Sequence, residues 1–108
     1  MDGRCYAVAA DGATAESQVS DQAARAPCYL LFDDTGKLRE TLANPFSAAA
    51  GRAAPQAVEL LAGKGADAVI AARFGHKMLS ELASAGIGHA ELTGSAAAAI
   101  RAFLEAGH

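Results

Sequence analysis

A small set of side chains in this sequence has the chemistry to hold an anionic metal species. His76 stands in the stretch VIAARFGHKML, residues 69–79, where an apolar segment ends and a helical pattern begins. An imidazole can donate nitrogen to a metal, and Cys28, at the start of another apolar segment, can donate a soft thiolate. Arg25 can pair with an anion, and Asp11 directly follows the first apolar segment. These residues form a site only if the fold brings them to one edge.

The elements that must position these residues follow the order β-β-β-α-β-α-β-α. Five short runs have the composition of strands, and they cover residues 4–10, 28–34, 37–42, 67–72 and 88–92. Thr35-Gly36 joins the second and third runs into a hairpin. Three segments have helical apolar spacing, and they cover residues 55–63, residues 76–85 and the stretch after a cap at Thr93 or Ser95. Residues 13–26 lack such spacing and predict a long, mobile loop, and residues 43–53 predict a second loop.

Strand direction predicts which residues meet. Parallel first, fourth and fifth strands end at one rim, and an antiparallel second strand begins there. The segments expected to converge at this rim are Asp11, the loop of residues 12–26, Cys28, the turn at 73–76 and the turn at 93–95. Two helix N-termini would supply amide donors, and Arg25, Arg73 and Lys77 would add positive charge. Cys5 falls at the other end, on the order of 16 Å from Cys28 at ~3.3 Å per residue, which excludes a disulfide.

Length and charge limit the alternatives. A chain of 108 residues predicts one domain, residues 1–108, and the net charge of −3 with dispersed basic residues predicts no nucleic-acid partner. No apolar run is long enough to cross a membrane, and the N-terminal stretch lacks a signal-peptide core, so we expect a cytoplasmic protein. The carboxylates are too scattered for a two-metal nuclease, and no nucleotide-binding, zinc-protease or hydrolase motif occurs.

Several short sequence segments occur in the order and spacing that are typical of a known protein family. AVAADG, VSDQAARAPCYLLFDD, ANPF, PQAVELLAGKGADAVIAARFG and ELASAGI resemble the dinitrogenase iron–molybdenum cofactor biosynthesis family over roughly residues 5–106. Its members are small nitrogenase-accessory domains that bind or carry the cofactor or its cluster precursor. The resemblance implies a ribonuclease H-like, three-layer α/β fold with a five-stranded mixed sheet of order 3-2-1-4-5. It also implies an iron–sulfur or iron–molybdenum type cluster as ligand and a nitrogenase-assembly protein as partner.

The first long loop departs from the family pattern. The family commonly shows a Ser-Glu-His-Phe-Gly-Arg-Ala-Pro phrase, whose histidine is the best candidate for a cluster ligand. Here Gln22 takes the place of that histidine, and Ala23-Ala24 replace Phe-Gly. An amide is a poorer cluster ligand than imidazole or thiolate. We therefore expect His76 and Cys28 to supply the metal ligands, with Arg25, Asp11 and Gln22 in contact with the cluster.

The sequence thus predicts a small, non-enzymatic binding or carrier domain for an anionic metal cluster or its precursor. A second interpretation is a protein-interaction module that kept the fold and lost the metal ligand. In that case His76 is a solvated first-turn residue, Cys28 a packed strand residue and Arg25 an exposed loop residue. A third interpretation is a hydrolase or transferase acting on a phosphate ester, with His76 or Asp11 as general base. The sequence leaves the oligomeric state open, and an oligomer is compatible with it.

Overall fold

The computed structural model describes residues 4–45, 47 and 53–107, and within them the elements follow the predicted order. The strands are β1 (Cys5–Ala10), β2 (Cys28–Asp33), β3 (Leu38–Ala43), β4 (Ala68–Ala71) and β5 (Gly88–Glu91). The helices are α1 (Ala53–Gly63), α2 (His76–Ala85) and α3 (Ala96–Glu105). Much of the predicted loop at residues 43–53 lies outside the described residues. No helix in the described ranges is long and apolar enough to cross a membrane.

The strands form one mixed sheet in the order β3-β2-β1-β4-β5, as predicted. β1 pairs antiparallel with β2 and parallel with β4, while β5 adds a parallel edge strand beside β4. The register places Cys28 opposite Ala10 and Cys5 opposite Asp33, at the two ends of the β1–β2 ladder. This register confirms that the two cysteines lie too far apart to be bridged, and both are free thiols.

Alternation along the strands divides the interior into two cores. On one face, Tyr29, Leu31 and Val69 pack among the residues of α1 and α2, including Leu61, Met78 and Leu82. On the other face, residues such as Val8, Leu30 and Ile70 pack against Ile100 and Phe103 of α3. The Tyr6 ring meets the Phe103 ring edge-on, with centroids 5.0 Å apart. The fold therefore has three layers, with α1 and α2 covering one face of the sheet and α3 the other.

The C-terminus of α2 and the N-terminus of α3 lie at the residues whose local sequence predicted them. Gly86 adopts the left-handed conformation (φ 73°) at the end of α2, and the Ile87 N–H donates to the Leu82 carbonyl. Only glycine takes this conformation without strain, so the chain can fold Ile87 back onto the core. Ser95, rather than Thr93, caps α3, because its hydroxyl accepts the Ala98 N–H.

The loop between β1 and β2 is held more closely than its sequence predicts. Val19 forms a bridge with Ala10, and Gln18 forms one with Ser95. The first amides of α3 donate to this loop, Ala96 to the Ser17 carbonyl and Ala97 to the Ala15 carbonyl, each at 2.8 Å. The sequence did not predict these contacts, because they are made by backbone groups that leave no mark in side-chain composition.

Candidate functional site

A crevice of about 590 Å³ opens where the loops after β1 and β4 separate. After β1 the chain turns toward β2, and after β4 it turns the other way, toward β5. Diverging loops at the carboxyl ends of adjacent parallel strands leave a gap in an open α/β sheet, and ligands commonly bind there. The crevice is lined by residues 21–25 of the first loop, the first residues of α1, Arg73, Gly75, Lys77 and Met78.

Ser20 fixes the first loop between the strand ends. Its N–H donates to the Ala9 carbonyl at 2.8 Å, and its own carbonyl accepts the Ala72 N–H at 2.9 Å. The side chain is buried, and its hydroxyl oxygen accepts the Gln22 N–H at 3.1 Å. The loop therefore continues the pairing of both β1 and β4 before it turns outward, and this places Gln22 at the mouth of the crevice.

The N-terminus of α2 borders the crevice without a side-chain cap. Gly75 is the cap residue and has no side chain to offer, and the first backbone bond into the helix runs from Leu79 to the Gly75 carbonyl. Within the described residues, the N–H groups of His76, Lys77 and Met78 have no protein acceptor. Free amides and the positive end of the helix dipole favour an anion at this position.

The N-terminus of α3 does not share this property. Its Ala96 and Ala97 amides donate to carbonyls of the β1–β2 loop, and its Ala98 amide donates to the Ser95 hydroxyl at 3.1 Å. Of the two helix N-termini predicted to offer amide donors at this rim, the one of α2 therefore has amides without a protein acceptor, and the prediction was wrong for α3. The reason is that the loop between β1 and β2 uses the α3 amides to satisfy its own carbonyls.

Charged side chains make the crevice positive although the chain as a whole is negative. Arg25, Arg73 and Lys77 line it, and Asp21 is the carboxylate among the lining residues. Arg73 and Lys77 are exposed, on either side of Gly75. Three cations, one carboxylate and the helix dipole together attract a multiply charged anion.

A second contact supports the turn that leads into α2. Phe74 is buried, its ring meets the His89 ring edge-on with centroids 5.2 Å apart, and its N–H lies 3.4 Å from a Glu91 carboxylate oxygen. Both partners come from β5, the edge strand. The position of Gly75 and of the α2 amides is thus tied to the sheet.

The structure brings together some of the sequence-predicted residues. Gln22 and Arg25 line the crevice. His76 is the exposed first residue of α2 and is not among the lining residues, although its neighbours Gly75 and Lys77 are. Asp11 is exposed and does not line the crevice; its N–H donates to the Gln18 carbonyl.

Cys28 lies on the other side of the sheet from α2. It pairs with Ala10 and alternates with Tyr29, so its side chain belongs to the face of Leu30 and Phe32, which α3 covers. The crevice therefore does not bring Cys28 and His76 together as expected. In the part of the chain that the structure describes, no group of three or more His, Cys, Asp and Glu side chains could hold a metal ion. The ligand roles of His76 and Cys28 stay predictions.

Cys5 is poorly suited to metal binding or nucleophilic chemistry. Burial raises the pKa of its thiol, and the nearby Asp67 and Glu40 carboxylates raise it further. A raised pKa keeps the thiol protonated, whereas the thiolate is the form that binds metals and attacks electrophiles.

Sequence reasoning missed two kinds of contributor. Ala53 and Ala54 form a wall of the crevice, yet alanine carries no chemical signal. Tyr29 and Asn44 are buried beneath the first loop and hydrogen-bonded to it, as described below. No sequence signal identified these two residues: a buried polar side chain needs partners, but the burial of Asn44 is known only from the structure.

Comparison with known proteins gives a consistent result. The family model described as dinitrogenase iron-molybdenum cofactor matches residues 4–106. A search of curated proteins found no match. Among solved structures, a NifB-like protein from Thermotoga is 31% identical, with a TM-score of 0.80 over 94% of this chain and 88% of that one.

Two further structures are similar in fold at lower identity. The apo form of the orange protein from Desulfovibrio gigas has a TM-score of 0.89 at 23% identity, covering 97% of this chain and 90% of that one. A dinitrogenase-like protein from Methanocaldococcus jannaschii has a TM-score of 0.64 at 17% identity, covering 98% of this chain and 92% of that one.

Proposed function

Because the chain belongs to the dinitrogenase iron-molybdenum cofactor family, we propose that it binds and carries an anionic metal cluster or a precursor of one. The site is the crevice between the β1–β2 loop and the N-terminus of α2. The observation that carries this proposal is the uncapped start of α2, with Arg73 and Lys77 beside it and Arg25 on the facing loop.

The proposed binding is reversible and mainly electrostatic. Backbone N–H groups and guanidinium donors form charge-assisted hydrogen bonds to sulfide or oxide atoms on the surface of a cluster. His76, the first residue of α2, would add one imidazole at the rim of the crevice. Electrostatic binding of this kind suits a carrier. A partner protein that supplies thiolate or imidazole ligands can accept the cluster without breaking a multidentate chelate.

The direct test is an anaerobic titration with isolated iron–molybdenum cofactor, followed by visible absorption and by the metal content of the gel-filtered protein. The double variant Arg73→Ala/Lys77→Ala is expected to bind at least about tenfold more weakly, the effect of losing one charge-assisted hydrogen bond. Arg101→Ala is the matched control, since Arg101 is an exposed cation on α3, on the far side of the sheet. Equal affinities for the double variant and the control would contradict the proposal.

His76 is tested separately. His76→Ala is expected to lower the affinity for the same cofactor, because the substitution removes the imidazole nitrogen donors. Unchanged affinity would remove His76 from the site and leave an anion pocket made of amides and cations.

A second candidate function rests on the first loop. Gln22, in the place of the family's histidine, lines the crevice together with Ala23 and Ala24, none of which is a good metal ligand. These substitutions favour an interaction module that has kept the fold and lost the cluster. Protein expressed anaerobically with ample iron and molybdenum distinguishes the two: a colourless, metal-free product that also fails to bind added cofactor supports the interaction module.

A further inference from the structure

Two buried side chains hold the crevice loop from beneath. The Tyr29 hydroxyl donates to the Ala23 carbonyl. The Asn44 amide nitrogen donates to the Ala24 carbonyl at 3.1 Å and to the Ala26 carbonyl at 2.9 Å. The Asn44 backbone N–H donates to the Pro27 carbonyl at 3.0 Å. Four carbonyls between Ala23 and Pro27 therefore accept hydrogen bonds from these two residues.

The two side chains come from β2 and from the residue that follows β3. Tyr29 is a fully buried residue of β2, and Asn44, which is 5% exposed, directly follows β3. They also touch each other, because the Asn44 amide nitrogen lies 3.4 Å from the Tyr29 hydroxyl oxygen. These hydrogen bonds thus attach the loop to two neighbouring strands of the sheet, β2 and β3.

This arrangement sets the direction of an amide at the crevice. In a trans peptide the carbonyl of one residue and the N–H of the next point in opposite directions. Since the Ala23 carbonyl points into the core toward Tyr29, the Ala24 N–H points away from the core, and Ala24 lines the crevice. In the described part of the chain this N–H has no protein acceptor.

We propose that Tyr29 and Asn44 are positioning residues for anion binding, which hold the loop so that the Ala24 N–H faces the α2 N-terminus across the crevice. This inference rests on the proposed function, because it concerns the same site. An anion in the crevice then receives amide donors from two walls, the loop on one side and the first turn of α2 on the other. Neither positioning residue touches the anion.

Tyr29→Phe separates positioning from packing. The substitution keeps the ring that fills the core and removes only the hydroxyl. Burial raises the pKa of the Tyr29 hydroxyl, so in the native protein it remains a neutral donor across the physiological pH range. A role confined to stability would lower the unfolding midpoint and leave the anion affinity of the folded protein unchanged.

The experiment is an NMR titration of the ¹⁵N-labelled full chain with molybdate, at a temperature where every variant is folded. In the native protein we expect molybdate to shift the amide signals of Ala24, Lys77 and Met78. In Tyr29→Phe and Asn44→Ala we expect the Ala24 response to be lost, the Met78 response to persist, and the affinity to fall about tenfold, as for one lost hydrogen bond to a charged ligand. Tyr29→Phe carries the test if Asn44→Ala does not fold.

Ser95→Ala is the matched control, because it also removes one hydrogen bond but at the start of α3, away from the crevice. It is expected to lose stability and keep native affinity. Native affinity with a retained Ala24 response in Tyr29→Phe would overturn the inference while the anion site stands. If molybdate shifts none of these amides in the native protein, the anion site itself is absent, and the inference falls with the proposed function.

Discussion

Replacing Gly75 with aspartate should stabilise the protein and weaken anion binding at the same time. Gly75 caps α2 with an extended backbone (φ −74°, ψ 159°), a conformation that any residue adopts. A Cβ built at this position meets no atom within 4 Å, so the new side chain fits without moving its neighbours. Aspartate is among the best N-cap residues, because its carboxylate accepts the N–H groups of the first helical turn.

The two effects have opposite signs for one physical reason. The new carboxylate would accept the Lys77 or Met78 amide and would lie at the positive end of the helix dipole, which together should add about 0.5–1 kcal/mol to the free energy of unfolding. The same amides are the donors that the anion needs. Losing a hydrogen bond to a charged ligand costs about 1.5–3 kcal/mol, so the affinity should fall about tenfold or more. Repulsion by the added negative charge acts in the same direction.

The assay combines urea unfolding, followed by circular dichroism, with calorimetric titration of molybdate on the same samples. Gly75→Ala is the control for the added side chain, since a methyl group has no acceptor and should leave the affinity nearly native. Gly75→Asn separates capping from charge, because it caps the helix with a neutral oxygen and should weaken binding less than Gly75→Asp does.

An increase in stability without a loss of affinity would refute the reasoning. It would show that the helix accepts a cap while the anion binds elsewhere, so the free amides of α2 would no longer support the proposed site. A loss of both stability and affinity would show instead that the geometry of the Gly75 turn differs from that described.

Three other predictions test separate parts of the structure. Asp21→Asn removes a carboxylate that lines the crevice, so the affinity for molybdate at low salt should rise about two- to fivefold. At high salt the affinities of the variant and the native protein should be equal. An unchanged affinity at low salt would show that Asp21 does not interact electrostatically with the anion. Ser95→Ala removes the cap of α3 and should lower the free energy of unfolding by about 1 kcal/mol in urea titrations, whereas an unchanged value would show that the cap is not formed in solution. The third concerns Asp33, where hydrogen bonds from the Thr35 hydroxyl and then the Lys37 N–H lower the pKa of the carboxyl below its usual 3.8. The hairpin stabilisation is therefore complete above pH 3.8 and is lost as the pH falls through the lowered pKa, so Asp33→Asn should flatten the acid side of a plot of melting temperature against pH. Equal acid slopes for both proteins would contradict it.

The order of the elements could be predicted because its signals are local, and the sheet order was implied by the resemblance to the family. Apolar runs such as residues 67–72 marked buried strands, and the later strand–helix alternation required parallel strands with crossovers. Gly86 and Ser95 ended and began helices by properties of their own side chains and backbone. Arg25 and Arg73 could be placed at one rim from strand direction alone, and the crevice contains both.

The composition of the site depended on information that no single segment contains. Alternation places Cys28 on a face of the sheet, but only the tertiary arrangement of the crossovers puts α2 on the opposite face and separates Cys28 from His76. The helix starts of α2 and α3 both follow a strand and both were predicted to supply amides to an anion. The β1–β2 loop occupies the amides of α3 and leaves those of α2 open, and this difference exists only between backbone groups far apart in the chain.

The sequence by itself determined the family, the order of the elements and which charged residues lie near the edge of the sheet that borders the crevice. Each of these follows from side-chain types at short spacing. The tertiary structure decided which of those residues share a crevice, which backbone amides remain available, and that Tyr29 and Asn44 hold the loop that forms one wall. The physical reason is that hydrogen bonds between distant backbone groups depend on how the chain is packed, and the side-chain sequence does not record them.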